Sequence, residues 1–153
     1  MDAFDRKILE LLQTDSEIPL NDLAERVGLT STPCWRRIQR MKSAGVIAKN
    51  VVLVDPKKVN LAVTAFVAVR NRNNTEEWFN RFKATVELIP EVVEFYRLSG
   101  EIDYLLRVVV PDIATYDLVY KRLINGTDTY DVTTSFALEE IKFTTVLPLQ
   151  YDR

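Results

Sequence analysis

The chain has 153 residues, room for one ordinary domain or two small ones, and its 47% apolar and 27% charged residues are those of a folded globular protein. A single cysteine, Cys34, leaves no intrachain disulfide framework and no thiolate metal site; the lack of any histidine removes the commonest general base and transition-metal ligand. Neither a membrane-length apolar stretch nor a basic leader followed by an apolar core is present, and the net charge is only −2. A cytoplasmic binding protein is therefore expected, with no catalytic residue, metal or resident cofactor assigned.

In chain order, Asp2 can cap a helix whose apolar positions Phe4, Ile8, Leu11 and Leu12 follow helical spacing, with Asp5 in its first turn. Pro19 precedes a short second helix carrying Leu20, Leu23, Ala24 and Val27 on one face, and Gly28 supplies its left-handed stop. Thr30 then reads as the cap of a third helix, with Leu29 and Cys34 at the two hydrophobic-staple positions, Pro33 in the first turn and Gly45 at the end. The run Val51-Val52-Leu53-Val54 has β character and ends at the turn signal Asp55-Pro56. These features divide the chain into a helix-turn-helix over 1–47, a linker strand over 48–60 and a second domain over 61–153.

The second domain reads as two copies of strand-helix-strand. The first comprises strand 62–70, a helix from about Thr75 to Leu88 bearing Trp78, Phe79, Phe82, Val86 and Ile89, and strand 92–98, with Pro90 stopping the helix. The second comprises strand 104–110, a helix capped by Asp112 and broken at Asn125-Gly126, and strand 132–138. The order βαββαβ predicts an α+β ferredoxin-like arrangement, a four-stranded antiparallel sheet with both helices on one face, whose other face is expected to be covered by a partner subunit.

The charge is unevenly spread. Between Arg26 and Lys58 lie eight basic residues and one acid, Asp55, a net +7, whereas residues 59–153 carry a net −4. At about 100° per residue, Cys34, Ile38 and Met41 share one side of the third helix, and Thr32, Arg36, Gln39, Arg40 and Ser43 lie opposite. Arginine pairs bidentately with guanine and glutamine with adenine, while hydroxyls reach phosphate, so this is the arrangement a recognition helix needs. A solvated charged face is the plainer reading of three arginines, but the short preceding helix, the Gly28 turn and the local charge all favour double-stranded DNA as the partner. The candidate DNA contacts are Thr30, Ser31, Thr32, Pro33, Arg36, Arg37, Gln39, Arg40 and Ser43, with Arg37 to the side as a phosphate neutraliser. Trp35 reads as a core or edge packing residue, and Cys34 as a small buried hydrophobe.

Between the second and third strands, Gly100 allows a positive-φ turn whose amides would hold a carboxylate, while Glu101 or Asp103 would accept an ammonium, a pairing suited to a zwitterionic amino acid. Thr133, Thr134 and Ser135 would add hydroxyls from the last strand. Taken alone, such a turn is more often only a hairpin.

The whole chain resembles the leucine-responsive regulatory protein/AsnC (Lrp/AsnC) family of transcription regulators. The resemblance rests on Asp5-Arg6-Lys7-Ile8-Leu9, the stretch from Leu23 through Val27-Gly28-Leu29-Thr30 to Pro33-Cys34, Arg37-Ile38, Gly45-Val46-Ile47 and Asp55-Pro56. It continues through Ser99-Gly100-Glu101-Ile102-Asp103-Tyr104-Leu105, Val110-Pro111-Asp112 and Glu139-Glu140-Ile141-Lys142. It implies a winged or plain helix-turn-helix, a linker strand and an amino-acid-sensing RAM domain that pairs sheet to sheet into homodimers, which often assemble further into octamers or hexadecamers. It also implies an effector at the dimer–dimer interfaces, mapped here to Ala65, Gly100, Glu101, Asp103, Tyr104, Leu105, Thr134, Ser135 and Ala137. Ser135 and Ala137 are smaller than their counterparts in leucine-responsive members, and Thr32 to Arg37 with Ser135-Phe136-Ala137 looks closest to a branch responding to cysteine or another small amino acid. The competing expectation is a haem-pathway, tetrapyrrole decarboxylase-like enzyme on the same architecture, which this chain would have to run without the histidine such enzymes are expected to use.

Overall fold

A computed structural model describes residues 1–71, 75–125 and 131–151. The chain divides into two compact units, one of them discontinuous: Met1–Leu53 together with the stretch from Ile141 onward, and Val54–Glu140.

The first unit is built on α1 (Ala3–Thr14), α2 (Leu20–Val27) and α3 (Ser31–Ser43). Asp2 and Asp5 close a reciprocal capping box, each side chain accepting from the other's backbone amide, which fixes where α1 begins. Gly28, at φ 83°, ends α2 in the left-handed conformation, and its amide donates to the Ala24 and Glu25 carbonyls. Thr30 is the cap residue of α3, although its side chain makes no capping hydrogen bond. Ile8, Leu9, Leu23, Ala24, Val27, Cys34 and Met41 form the core, with Ile38, Ile47 and Leu149 packed against it. Among the described residues of this unit no strand accompanies the helices, so it has the plain three-helix form rather than a winged one.

Two sequence expectations change here. The β-type run Val51–Val54 forms no strand and all four side chains are exposed, because a strand needs a partner's backbone and one chain brings none to it. The chain from Ile141 onward, expected within the second domain, belongs instead with the three helices. Gln13 of α1 anchors it, donating to the Leu147 carbonyl at 3.3 Å and accepting from the Leu147 amide at 2.7 Å.

In the second unit, β1 (Val63–Arg70), α4 (Glu76–Glu87), β2 (Val92–Arg97), β3 (Tyr104–Val110), α5 (Ile113–Ile124) and β4 (Asp131–Phe136) give an antiparallel sheet of order β2-β3-β1-β4, as the βαββαβ reading requires. Thr75 caps α4 and Asp112 caps α5. Asn125 is the C-cap of α5, while Gly126 lies outside the described residues.

Cross-strand partners share a face. The aligned rows Val132, Val69, Tyr104 and Thr134, Val67, Leu106, Phe95 turn toward the helices, where Trp78, Phe82, Tyr116 and Val119 complete the core. The alternate rows Ser135, Phe66, Arg107, Glu94 and Thr133, Ala68, Leu105, Tyr96 lie on the face that neither helix covers. On that face Arg107 pairs with Glu94 at 2.7 Å, and the Tyr96 hydroxyl donates to Glu94 at 3.0 Å.

Candidate nucleic-acid interface and effector loop

The apolar side of α3 seats it in the bundle: Cys34 and Met41 are buried and Ile38 half-buried, as the helical spacing predicts. Burial pushes the Cys34 thiol up from its ordinary value, a small opposing effect coming from Arg37. On the other side Thr32, Pro33, Arg36, Arg40, Lys42 and Ser43 are exposed and Gln39 half-buried. Ser31 donates to Asn21 Oδ1 at 2.6 Å, tying the start of α3 to α2. Trp35 is 51% exposed, which places it at the edge beside Arg36 rather than in the core.

The three arginines of α3 differ sharply. Arg36 makes no ion pair among the described residues. Arg40 is 61% exposed and donates from one terminal nitrogen, Nη2, to Asp5 Oδ2 at 2.7 Å. Arg37, assigned to phosphate from the sequence, is turned inward. Its Nη1 reaches Asp5 Oδ1 at 2.8 Å and also Asp2 Oδ2, and its guanidinium carbon lies 5.3 Å from the Phe4 ring centroid. The Asp5 amide and then Arg37 hold the Asp2 carboxyl below its usual range.

Asp5 itself is 2% exposed, a carboxylate on the buried side of α1. In the sequence it stands out only as a first-turn acid. The signal that would have found it is its spacing, because Asp5 shares the helical stripe of Ile8, Leu9 and Leu12, where a charge must have a partner.

Among the described residues, the nine effector candidates are divided between a loop and the two faces of the sheet. Gly100, at φ 149°, and Glu101 sit on the loop between β2 and β3, and Glu101 is 91% exposed and lies 3.5 Å from Arg70. Asp103 holds the loop in place. Its Oδ2 accepts from the Asn71 amide at 2.7 Å and its own amide donates to Val69, locking the loop to the end of β1. Leu105 and Ser135 stand on the uncovered sheet face, and the Ala137 amide donates to Thr64 just past β4. Ala65, Tyr104 and Thr134 point the other way, under the helices. Ala65 is fully buried, Tyr104 stacks among Trp78, Phe79, Phe82 and Phe95, and the Thr134 hydroxyl is hydrogen-bonded to Tyr116. A cavity of about 380 Å³ is lined by Tyr104 with Thr75, Glu76, Phe79, Asn80 and Arg97; none of the other eight candidates lines it.

Among the described residues, no cluster of carboxylates or Cys34 could hold a metal ion, and no helix is long and apolar enough to cross a membrane.

Comparison with known proteins agrees with this architecture. Residues 1–42 match the AsnC-type helix-turn-helix domain and residues 64–147 the Lrp/AsnC ligand binding domain. The chain is 48% identical to the DNA-binding transcriptional activator DecR of Escherichia coli (strain K12), over 98% of this chain and 99% of that one. It superposes on the crystal structure of an AsnC family transcriptional regulator from Agrobacterium tumefaciens with a TM-score of 0.96 and 57% identity, covering all of both chains. A transcriptional regulator of Neisseria meningitidis, solved as its L-Met complex, gives a TM-score of 0.93 at 36% identity over 98% of this chain and 97% of that one. Nothing among these relatives supports a haem-pathway decarboxylase.

Proposed function

Because the chain belongs to the Lrp/AsnC family of DNA-binding transcriptional regulators, we propose that α3 is its recognition helix, that a homodimer sets two copies of α3 in successive major grooves, and that a small amino acid controls the assembly. The observation that carries the first part is the division of α3. Cys34, Ile38 and Met41 are committed to the bundle, while Arg36, with Thr32, Arg40 and Ser43, is presented to solvent. Arg36 and Arg40 read base edges, Gln39 assists, and Thr30, Ser31, Thr32 and Ser43 hold phosphates near the N-terminal and outer parts of the helix. The protein acts by binding rather than by catalysis, in the cytoplasm.

For the effector, the loop around Gly100 offers an exposed carboxylate at Glu101 close to the open sheet face, and the L-Met complex of the Neisseria relative favours an amino acid as the ligand class. Ser135 and Ala137 differ in size from their counterparts in leucine-responsive members, so a ligand other than leucine is proposed, with cysteine or another small amino acid foremost. Two surfaces of one chain hold the candidate residues, so the site is completed by a neighbouring copy, in a dimer or a ring of dimers.

The deciding experiment is a mobility shift with a duplex selected by the wild-type chain from a random pool. Arg36→Ala is expected to weaken binding about tenfold or more with the thermal transition unchanged; retention of full affinity would remove α3 from the groove. A thermal-shift screen of the amino acids identifies the effector as the one that raises the apparent melting temperature. Glu101→Ala should abolish that rise without altering the unliganded transition, whereas Asp103→Ala should lower the transition itself, since its carboxylate holds the Asn71 amide.

A further inference from the structure

The basic stretch read from the sequence overstates the charge that α3 can offer. Asp2, Asp5, Arg37 and Arg40 are linked at the start of α1, two carboxylates set against two guanidiniums. We infer that Asp5 is a positioning residue for DNA recognition: its two oxygens withdraw Arg37 from the phosphates and hold Arg40 with its outer edge toward the groove. This deepens the assignment of α3 as recognition helix and rests on it.

The geometry of the two arginines carries the inference. They are three positions apart on α3, and each takes a different oxygen of the same carboxylate, at 2.8 Å for Arg37 and 2.7 Å for Arg40. That carboxylate is not free to follow them, because Oδ2 also accepts the Asp2 amide at 3.2 Å in the capping box. The start of α1 therefore dictates both side-chain conformations on α3. Arg37 is consumed: two carboxylates and the Phe4 ring engage it and only 23% of its side chain is exposed. Arg40 is oriented but not consumed. A guanidinium has five N–H donors, the bond to Asp5 uses one, and the rest lie on a side chain that is 61% exposed. An arginine already held in one conformation loses less freedom when it pairs with a base, and its direction is set before DNA arrives. Arg36, four residues before Arg40 on the same outer side, has no such anchor among the described residues.

The test uses the full chain and two duplexes, the selected one and a scrambled one, each titrated over a range of salt. With Asp5→Asn, affinity for the selected duplex should fall about tenfold. Affinity for the scrambled duplex should rise, its salt dependence steepening by up to about 0.9 for each arginine released. A purely structural Asp5 would instead lower both affinities together and leave the slopes alone, and that result overturns the inference. Arg37→Gln is the second variant: its salt slope on the selected duplex should equal that of wild type, and a slope shallower by about 0.9 would mean that Arg37 touches phosphate after all. If Asp5→Asn does not fold, the Arg37→Gln slope decides alone. The Arg36→Ala measurement separates the two levels. If Arg36→Ala is without effect, the recognition-helix assignment falls and this inference with it; if Arg36→Ala weakens binding while Asp5→Asn scales both duplexes equally, only the positioning role falls.

Discussion

Cys34 shows how one residue's chemistry follows from its seat. Its thiol is fully buried among Leu23, Val27 and Met41, and desolvation makes the reactive thiolate harder to form. The thiol is expected to resist Ellman's reagent in the native protein even at about pH 8.5, where half of an exposed thiol would be ionised, and to react at once in denaturant. Rapid native labelling would show that α3 detaches from the bundle. The helical spacing was enough to foresee this burial, as it was for Ile38 and Met41. It could not foresee Arg37, because spacing gives the side of a helix but not the side chain of another helix that waits there. Trp35 marks a related limit: spacing left it either in the core or at its edge, and it lies at the edge of the stripe with half of its surface exposed.

At the level of elements, most boundaries were legible because local chemistry sets them. Thr75 and Asp112 accept from the amides three residues on, Trp78 and Thr115, and so begin α4 and α5 without tertiary help. Gly28 is the matching stop. A Cβ added there would meet no atom within 4 Å, so replacing it tests backbone conformation alone. Gly28→Ala should destabilise the helical unit by about 1–2 kcal/mol, the cost of a left-handed conformation for an L-residue. Gly28→Asn, which tolerates that region better, should cost less, both read from urea unfolding followed by helical circular dichroism. The linker was the element that misled. Val51 to Val54 has the composition of a strand, but pairing is decided by what else is in reach, and composition does not record it.

For the molecule as a whole, the order of elements was sufficient to give the sheet topology, since two strand-helix-strand units joined in series have few antiparallel solutions. The effector residues were harder. Correspondence by position names nine, but alternation along a strand sends Leu105 and Tyr104, or Ser135 and Thr134, to opposite faces, so neighbours in sequence become two groups in space. One group lies on the uncovered face with Phe66 and Tyr96, the face assigned to the homodimer. Phe66→Asp is expected to shift sedimentation toward the monomer while leaving the second unit folded, because Phe66 points away from the core centred on Phe82. An unchanged sedimentation coefficient would move the dimer contact elsewhere.

The two tryptophans give this chain an optical label in each half. Trp35 stands in water on the helix assigned to the groove, whereas Trp78 is packed against Phe82 with its indole N–H buried and lacking an acceptor among the described residues. Their emission maxima should therefore separate, the red component quenched when a duplex docks and the blue component lost only when the sheet comes apart. One spectrum thus reports occupancy and integrity independently, with no dye attached.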